Sequence, residues 1–234
     1  MYEERTYRRV MNPGGLKSFD IKVYESDLRV FCDRDVNESI YKNVCRYRRI
    51  IEEYGSTNSI FLTTHEPLLY DINAHDIIRH MQQASSSAGV GPMAGVAGAV
   101  AYYASLGVQC QELIIENGGD IYLKSVQDRT VKIHTANKYF GDKIKILVQS
   151  GEWGVCTSSG TLGHSFSYGK ADAATIIAHD PVLADCVATA ACNMVKREEN
   201  IHRAIEFSMS IEGVEGVVII IGGKIGIKGK IKLV

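Results

Sequence analysis

Residues 153–195 read WGVCTSSGTLGHSFSYGKADAATIIAHDPVLADCVATAACNMV. The pattern predicts two short strands, 153–156 and 173–178, with a polar turn between them. A helix over 181–195 follows, because Asp180 is a favourable N-cap and a proline comes next, at the first helical position. Two strands followed by a helix rich in small residues indicate a fold of mixed α and β structure.

Helices and strands also alternate in the rest of the chain. Further strands are predicted at 18–32, as a pair broken near Glu25, and at 112–115, 121–124, 131–134, 143–148, 217–221 and 224–227. Further helices are predicted at about 35–54, 74–84, 93–106 and 201–209, and Gly55 is expected to end the first of them. Hairpin connections favour antiparallel pairing, so we expect an α+β fold. No linker, low-complexity tract or repeat divides the sequence, which predicts a single domain over 1–234.

A turn rich in hydroxyl groups, TSSGTLGHS at 157–165, joins the two strands of the opening stretch. Its glycines let backbone N–H groups converge on an anion, and six Ser or Thr residues lie between 157 and 167. It is not a P-loop, because its glycine spacing is too long and an alanine follows Lys170. The alternative is an ordinary polar turn. His164 and Lys170 add titratable groups and favour a phosphate site, in which His164 would be the general acid or base.

Two oxygen-bearing side chains, Asp185 and Thr189, lie four residues apart in the predicted helix and so share one face. A carboxylate and a hydroxyl, completed by carbonyl oxygens and water, suit Mg²⁺ better than zinc, which prefers His or Cys. In the alternative interpretation, Thr189 bonds to a backbone carbonyl one turn earlier and Asp185 favours the positive end of the helix. Together with the hydroxyl-rich turn, the pair predicts a metal-assisted phosphate or pyrophosphate site, and hence a ligand that resembles a nucleotide.

Two glycine-rich segments precede these motifs. The turn at 116–120, ENGGD, is a strong hairpin signal, and its bare backbone could also admit a flat or phosphorylated ligand that Asn117 and Asp120 bind. The segment at 89–92, GVGP, could offer N–H groups to a phosphate where the 93–106 helix begins. Small residues in that helix permit close approach of a ligand or, in the favoured alternative, of a neighbouring sheet.

Composition excludes several classes of function. Lys and Arg number 26 and Asp and Glu number 27 in 234 residues, so no overall charge attracts nucleic acid or an anionic membrane. Residues 81–111 carry no charged side chain but contain too many Ser and Gly residues for a membrane span. The six cysteines form no CxxC pair, which argues against a zinc ribbon. No signal peptide is visible, so we expect reduced thiols in the cytoplasm.

The order of these motifs resembles the ApbE superfamily of FAD:protein FMN transferases. The resemblance covers most of the chain and lies at 88–94 (AGVGPMA), 116–121 (ENGGDI), 157–161 (TSSGT), 170–173 (KADA) and 184–190 (ADCVATA). The motifs are most similar to the short, uncharacterised cytoplasmic branch of that superfamily. The resemblance implies a T-fold-like α+β architecture, in which an antiparallel sheet has helices packed on one face.

The resemblance also implies a site for FAD or a related nucleotide together with Mg²⁺. Asp185 and Thr189 would match the side-chain metal ligands, and a backbone carbonyl near Met93 or Ala94 would complete the metal shell. The residues that would contact the nucleotide are Gly91, Met93, Asn117, Gly118, Gly119, Asp120, Ser158, Ser159, Gly160 and Thr161.

The chain departs from the transferases at two places. His164-Ser165-Phe166 stands where they carry His followed by Asp-Pro-x-Thr-Gly, and Ala94-Gly95 and Ala99 replace their Lys-Gly and Asp. The residues therefore supply no obvious base for activating an acceptor threonine.

We expect a magnesium-dependent protein that binds a flavin nucleotide, acting as a transferase or pyrophosphate-cleaving enzyme of cofactor metabolism. One alternative is an enzyme that acts on a purine or pterin nucleotide. Another is a non-catalytic nucleotide-binding protein that serves as a carrier, sensor or assembly partner. A protein acceptor is compatible with the pattern. So is a homo-oligomer, because the lysine-rich strands at 224–234 are expected at an exposed sheet edge.

Overall fold

The computed structural model describes residues 5, 7–8, 11, 14–135, 137–161 and 168–234. Its strands, in chain order, are β1 (Lys17–Val23), β2 (Ser26–Cys32), β3 (Leu113–Asn117), β4 (Asp120–Ser125), β5 (Arg129–Lys132), β6 (Lys145–Val148), β7 (Gly151–Ser158), β8 (Ala173–Ala178), β9 (Val214–Ile221), β10 (Lys224–Gly229) and β11 (Lys232–Leu233). Its helices are α1 (Asn37–Thr57), α2 (Ser59–Thr63), α3 (Asp76–Ala88), α4 (Val96–Ser105), α5 (Pro181–Met194) and α6 (Ile201–Ser210). Each strand and helix that the sequence predicts is present, with bounds that differ by a few residues.

Eight of the strands form one antiparallel sheet in the order β1-β2-β3-β4-β7-β8-β9-β10. The antiparallel sheet of the predicted α+β fold is thus confirmed. A second sheet, in the order β11-β6-β5, was not expected from the sequence. Its strands β5 and β6 lie between β4 and β7 in the chain, and the C-terminal strand β11 returns to pair with β6.

Alternation along β9 shows how the two layers are built, because successive side chains of a strand point to opposite faces. Val217, Ile219 and Ile221 lie in the core that the helices cover. Val218 and Ile220 lie in a separate core with side chains of the small sheet. Helices therefore cover one face of the large sheet, as predicted, and the small sheet covers part of the other face.

Helix α5 occupies the centre of the helical layer, packed against β7, β8, α3 and α4. Its side chains are mostly small and buried, which lets neighbouring backbones approach it closely. The cap predicted at its start is present, because Asp180 Oδ1 accepts the Val182 N–H at 2.8 Å. A Cβ atom at Gly95 would lie 2.7 Å from Cys186 Sγ, so α5 also fixes the turn that leads into α4.

Helix α1 lies on the large sheet through the apolar stripe predicted for it. The buried residues of the stripe are Ile40, Val44, Tyr47 and Ile51. Gly55 does not end this helix, which continues to Thr57, so that prediction is wrong. The glycine is instead needed for packing, since a Cβ atom there would lie 2.6 Å from the Leu62 side chain. Within the described ranges, no helix is long and apolar enough to cross a membrane.

Candidate functional site

The first turn of α4 lies against the first turns of α5, and a glycine makes this approach possible. A Cβ atom at Gly98 would lie 2.4 Å from the carbonyl oxygen of Pro181, so a larger residue does not fit. The first N–H groups of a helix have no partner within it. Asp185 accepts two of them, from Ala97 and from Gly98, the second at 2.8 Å from its Oδ2. This carboxylate is therefore fixed at the N-terminus of α4, where it is only 5 % exposed.

Asp185 shares this buried position with a second acid, Asp120, at the start of β4. Burial raises the pKa of Asp185 to about 7, against the lowering effect of its two N–H partners. Burial, followed by the charge of Asp185, raises the pKa of Asp120 well above its usual range. Among the residues that the structure describes, neither carboxylate forms an ion pair with Lys or Arg, and both accept backbone N–H groups. The site therefore holds two interacting buried acids that a proton or a cation can neutralise.

Asn117 links the β3–β4 hairpin to the start of α4. It stands opposite Asp120 in the hairpin register, across the two-residue turn that the sequence predicted. Its Nδ2 donates to the carbonyl oxygen of Ala97 at 3.3 Å. The same turn of α4 thus presents N–H groups to Asp185 and a carbonyl oxygen to Asn117.

Hydroxyl groups lie on the other side of Asp185. Thr189 follows it by one helical turn on the same face of α5, and its Oγ1 is 3.1 Å from Ser158 Oγ at the end of β7. Thr157, the residue before Ser158, points its side chain to the opposite face of the sheet. Its backbone N–H donates to Asp120 Oδ1 at 3.2 Å. Five residues assigned to the site from sequence are therefore assembled around the α4–α5 contact: Asn117, Asp120, Ser158, Asp185 and Thr189.

Cys156 also belongs to this cluster, although no sequence pattern assigned it a role. Its Sγ lies 3.5 Å from the carbonyl oxygen of Pro181, and Asp120 is among the groups that it contacts. Burial holds the pKa of this thiol well above its ordinary value, so it stays protonated near neutral pH. A protonated thiol is a poor ligand for Mg²⁺, which prefers oxygen.

Of the rest of the hydroxyl-rich turn the structure describes residues 159–161, and these are bonded to one another and to Ala171. The Gly160 N–H donates to the carbonyl oxygen of Ala171 at 2.9 Å, and a Cβ atom at Gly160 would lie 2.3 Å from the carbonyl oxygen of Gly169. Ser159 Oγ accepts the Thr161 N–H at 3.1 Å. These bonds shape the turn and leave fewer N–H groups for an anion than the sequence predicted. His164, the predicted general acid or base, lies outside the described residues.

The backbone carbonyl expected near Met93 or Ala94 lies in a short turn that precedes α4. Residues Pro92–Gly95 form a short 3-10 turn, in which the carbonyl oxygen of Met93 already accepts the Val96 N–H. Because α4 begins only at Val96, Ala97 is the residue of its first turn that faces Asp185 and Asn117. Gly91 has a packing role, since a Cβ atom there would lie 1.9 Å from the carbonyl oxygen of Thr64.

A segment near the N-terminus holds the β3–β4 turn from the opposite face of the sheet. The buried guanidinium of Arg8 lies between Glu116 and Asp27, bonding Glu116 Oε2 at 2.5 Å and Asp27 Oδ1 at 2.7 Å. Glu116 in turn accepts the Gly119 N–H at 2.9 Å. A Cβ atom at Gly118 would lie 3.1 Å from the guanidinium of Arg5. Sequence patterns missed this support, because its partners are about a hundred residues apart.

Comparison with known proteins agrees with this architecture. Residues 8–226 match the family model described as "AbpE bacteria". A UPF0280 protein of Methanocaldococcus jannaschii is 37% identical over 205 residues, which cover 85% of this chain and 82% of that protein. A UPF0280 protein of Methanoregula boonei is 39% identical over 191 residues, which cover 79% of this chain and 78% of that protein.

Solved structures with the same fold include two transferases. The flavin transferase ApbE from Vibrio cholerae superposes with a TM-score of 0.59 at 9% identity, covering 91% of this chain and 96% of that one. The apo flavinyl transferase ApbE of Pseudomonas stutzeri superposes with a TM-score of 0.54 at 14% identity, covering 92% of this chain and 94% of that one. At such low identity these likenesses show the fold alone. The family match and the UPF0280 relatives show that this chain belongs to the ApbE-like superfamily, within the family described as "AbpE bacteria".

Proposed function

We propose that this protein binds a flavin nucleotide, FAD or a close relative, together with Mg²⁺, as a transferase or pyrophosphate-cleaving enzyme of cofactor metabolism. The observation that carries the proposal is the cluster of oxygen groups at the α4–α5 contact, where two interacting acids are buried without a basic partner among the described residues. A cation would relieve the repulsion between them. The choice of a flavin rests on the family and on the flavin transferases that share the fold.

The chemistry of the donors fits Mg²⁺. Asp185 and Thr189 would hold the ion from one face of α5, and the carbonyl oxygen of Ala97, which accepts a hydrogen bond from Asn117, would be a third ligand. All three present oxygen, which is the ligand atom that Mg²⁺ prefers. Bound Mg²⁺ would neutralise negative charge on the pyrophosphate of the nucleotide.

The remaining residues would bind and orient the nucleotide. Ser158 presents its hydroxyl beside Thr189, and Asn117 holds the β3–β4 turn against α4. The turn formed by Ser159, Gly160 and Thr161 would lie along the phosphates. His164 remains the proposed general acid or base, because it follows this turn directly in the chain.

A second candidate is a protein that binds the nucleotide without chemistry, and one set of contacts favours it. The N–H groups of Gly119 and Gly160, two glycines assigned to nucleotide binding, are already bonded to Glu116 and to the carbonyl of Ala171. The sequence also lacks the Lys and Asp that would activate an acceptor threonine. A purine or pterin nucleotide is the corresponding alternative for the ligand.

A thermal-shift panel tests the proposal. FAD, FMN, ATP, GTP and a reduced pterin are added with and without Mg²⁺ to the wild type, to Asp185→Ala and to Glu66→Gln, an exposed control. A ligand at a hundredfold excess over its Kd stabilises the native state by about 2.7 kcal/mol. We expect a magnesium-dependent shift with FAD that Asp185→Ala abolishes and Glu66→Gln keeps. Equal FAD shifts in wild type and Asp185→Ala would overturn the metal site.

Chromatography of the same mixtures separates the enzyme from the binder. Release of AMP from FAD that stops on chelation of Mg²⁺ supports an enzyme, whereas intact FAD despite a thermal shift supports the binding protein. A shift with ATP, GTP or the pterin but with no flavin would change the ligand class.

We also propose a cytoplasmic location and a homo-oligomer that forms at an exposed edge of the large sheet. Strand β10 is the terminal strand of that sheet and carries Lys224 and Lys228. Lys228 pairs with Glu206 of α6 at 2.7 Å, so the edge is charged as the sequence predicted. Analytical ultracentrifugation of the wild type tests the association.

A further inference from the structure

Two cysteines and an aspartate converge where β2 ends. Cys32 is the last residue of β2 and is buried, Asp33 follows it, and Cys110 lies half-buried in the segment before β3. One ligand atom from each, the two Sγ atoms and a carboxylate oxygen, lie within 4.8 Å of one another. Neither cysteine is in a disulfide. The two cysteines are 78 residues apart in the sequence, so the cluster has no CxxC pattern by which it could be recognised.

The spacing of these atoms matches that of ligands around one tetrahedral ion. Zinc lies about 2.3 Å from a thiolate sulfur and about 2.1 Å from a carboxylate oxygen, which separates the two ligand atoms by roughly 3.5 Å at a tetrahedral angle. Cys32 Sγ and Asp33 Oδ1 are 3.5 Å apart. The thiols of Cys32 and Cys110 are themselves within hydrogen-bonding reach of each other. The three groups are thus close enough to bind one ion without a change in backbone.

Backbone contacts hold the three groups in place. The Asp33 N–H donates to the carbonyl oxygen of Glu112 at 3.3 Å, which extends the pairing of β2 with β3 by one step. The Gln111 N–H donates to Asp33 Oδ2 at 3.3 Å, which leaves Oδ1 turned towards Cys32. Because Gln111 follows Cys110 directly, the same segment positions the aspartate and the second thiol.

We propose that Cys32, Asp33 and Cys110 form a zinc site with a water molecule as the fourth ligand. Two thiolates and a carboxylate select a softer divalent ion than Mg²⁺. Asp33 is exposed and Cys110 half-buried, so water would reach the ion from their side. Cys32 is buried and would separate the ion from the core. Arg34, whose Nε is 3.9 Å from Asp33 Oδ1, and Lys124, whose charge acts on Cys110, reduce the net negative charge that three anionic ligands bring.

This site is separate from the proposed magnesium site. In the β2–β3 register, Leu28 stands opposite Asn117 of the magnesium site, and Cys32 stands opposite Leu113. Four residues at about 3.3 Å each put the two positions roughly 13 Å apart along the strands. A variant of one site therefore leaves the ligands of the other in place.

Metal analysis and cobalt spectroscopy test the zinc site on the full chain. Protein purified without chelator is assayed for zinc and, after stripping, titrated with Zn²⁺ and Co²⁺ alone. We expect one zinc-binding site and a sulfur-to-cobalt charge-transfer band. Cys32→Ser and Cys110→Ser each leave one thiolate, so each should weaken the band to about half and reduce zinc affinity by at least about tenfold. Asp33→Asn should weaken binding and keep the band.

Two controls keep the test decisive. Cys45→Ser, at another partly buried cysteine, and Asp185→Asn, in the proposed magnesium site, should bind zinc as the wild type does. Cys110 is half-buried, so Cys110→Ser remains informative if Cys32→Ser does not fold. Cobalt binding without a charge-transfer band, equal affinity in Cys110→Ser and the wild type, or a Cys32–Cys110 disulfide in protein that holds no metal would each overturn the proposal.

Discussion

Asp120 on β4 and Asp185 on α5 are both buried, and the charge of Asp185 raises the pKa of Asp120. Hydrogen bonds partly offset this repulsion. The N-terminus of α4 donates two N–H groups to Asp185, and the Thr157 N–H donates to Asp120. Those bonds offset only part of the cost, since both pKa values remain raised. A bound cation would neutralise both carboxylates and so stabilise the folded protein, which is why this pair is the centre of the proposed site.

Without metal, the stability of the wild type should fall as the pH rises. Asp185 has an ordinary pKa of 3.8 and a folded pKa of about 7, so between these values the unfolded chain releases its proton first. The loss is on the order of 1.4 kcal/mol for each unit of pKa difference. Asp185→Asn has no carboxyl group to titrate at this position, so its free energy of unfolding relative to that of the wild type should increase from pH 5 to pH 8. Denaturant unfolding in the presence of a chelator measures this, and parallel pH profiles would contradict it.

Thr189 should matter for magnesium through its hydroxyl group. Thr189→Val keeps the shape of the side chain but removes the oxygen that faces Ser158, so we expect a clear loss of the magnesium-dependent shift with FAD. Thr189→Ser keeps the hydroxyl and should bind as the wild type does. Magnesium titrations in the presence of FAD check the pair. If Thr189→Val kept wild-type magnesium affinity, Thr189 would be a structural residue only.

Gly98 should tolerate no larger side chain. Gly98→Ala places a methyl group 2.4 Å from the carbonyl oxygen of Pro181, so α4 must move away from α5. Overpacking of this kind costs about 1–3 kcal/mol. Gly223→Ala is the matched control, because a Cβ atom there meets nothing within 4 Å. Denaturant unfolding compares them, and equal stabilities would show that the α4–α5 contact adapts freely.

Arg8 should be important for stability although it lies far from the proposed ligand. Arg8→Met leaves Glu116 and Asp27 buried without their shared cation, which costs about 3–5 kcal/mol for a buried pair. Arg49→Met removes an exposed pair with Glu53 and should leave the stability nearly unchanged. Thermal and denaturant unfolding measure both variants. A small effect of Arg8→Met would mean that the N-terminal segment does not hold the β3–β4 turn.

The sequence predicted the parts of the site that depend on short-range patterns. Asp180 and Pro181 mark the start of α5, and the spacing of Asp185 and Thr189 puts both on one face of it. The glycine pair at Gly118 and Gly119 predicts the β3–β4 hairpin, and both glycines adopt the positive φ that such a turn needs. In each case, local backbone geometry decides the outcome within a few residues.

Contacts between distant segments could not be read in this way. The sequence assigned Asp120 to the nucleotide, but only the packing of α5 on β4 and β7 brings it near Asp185, 65 residues away. The chain first makes a 3-10 turn at Pro92–Gly95, so α4 begins only at Val96 and brings the backbone of Ala97 to Asn117 and Asp185. Cys32 and Cys110 meet only because β2 and β3 are neighbours in the sheet.

The sequence by itself determined five of the six helices that the structure describes, most strands and their antiparallel pairing, since periodicity, caps and turn residues act over short distances. The order of its motifs indicated the superfamily. The tertiary structure alone decided that β5, β6 and β11 leave the large sheet to form a second one on its opposite face. It also decided which charges are buried together. Burial and the charges brought close by folding set the pKa of a group, and neither is visible in the order of the residues.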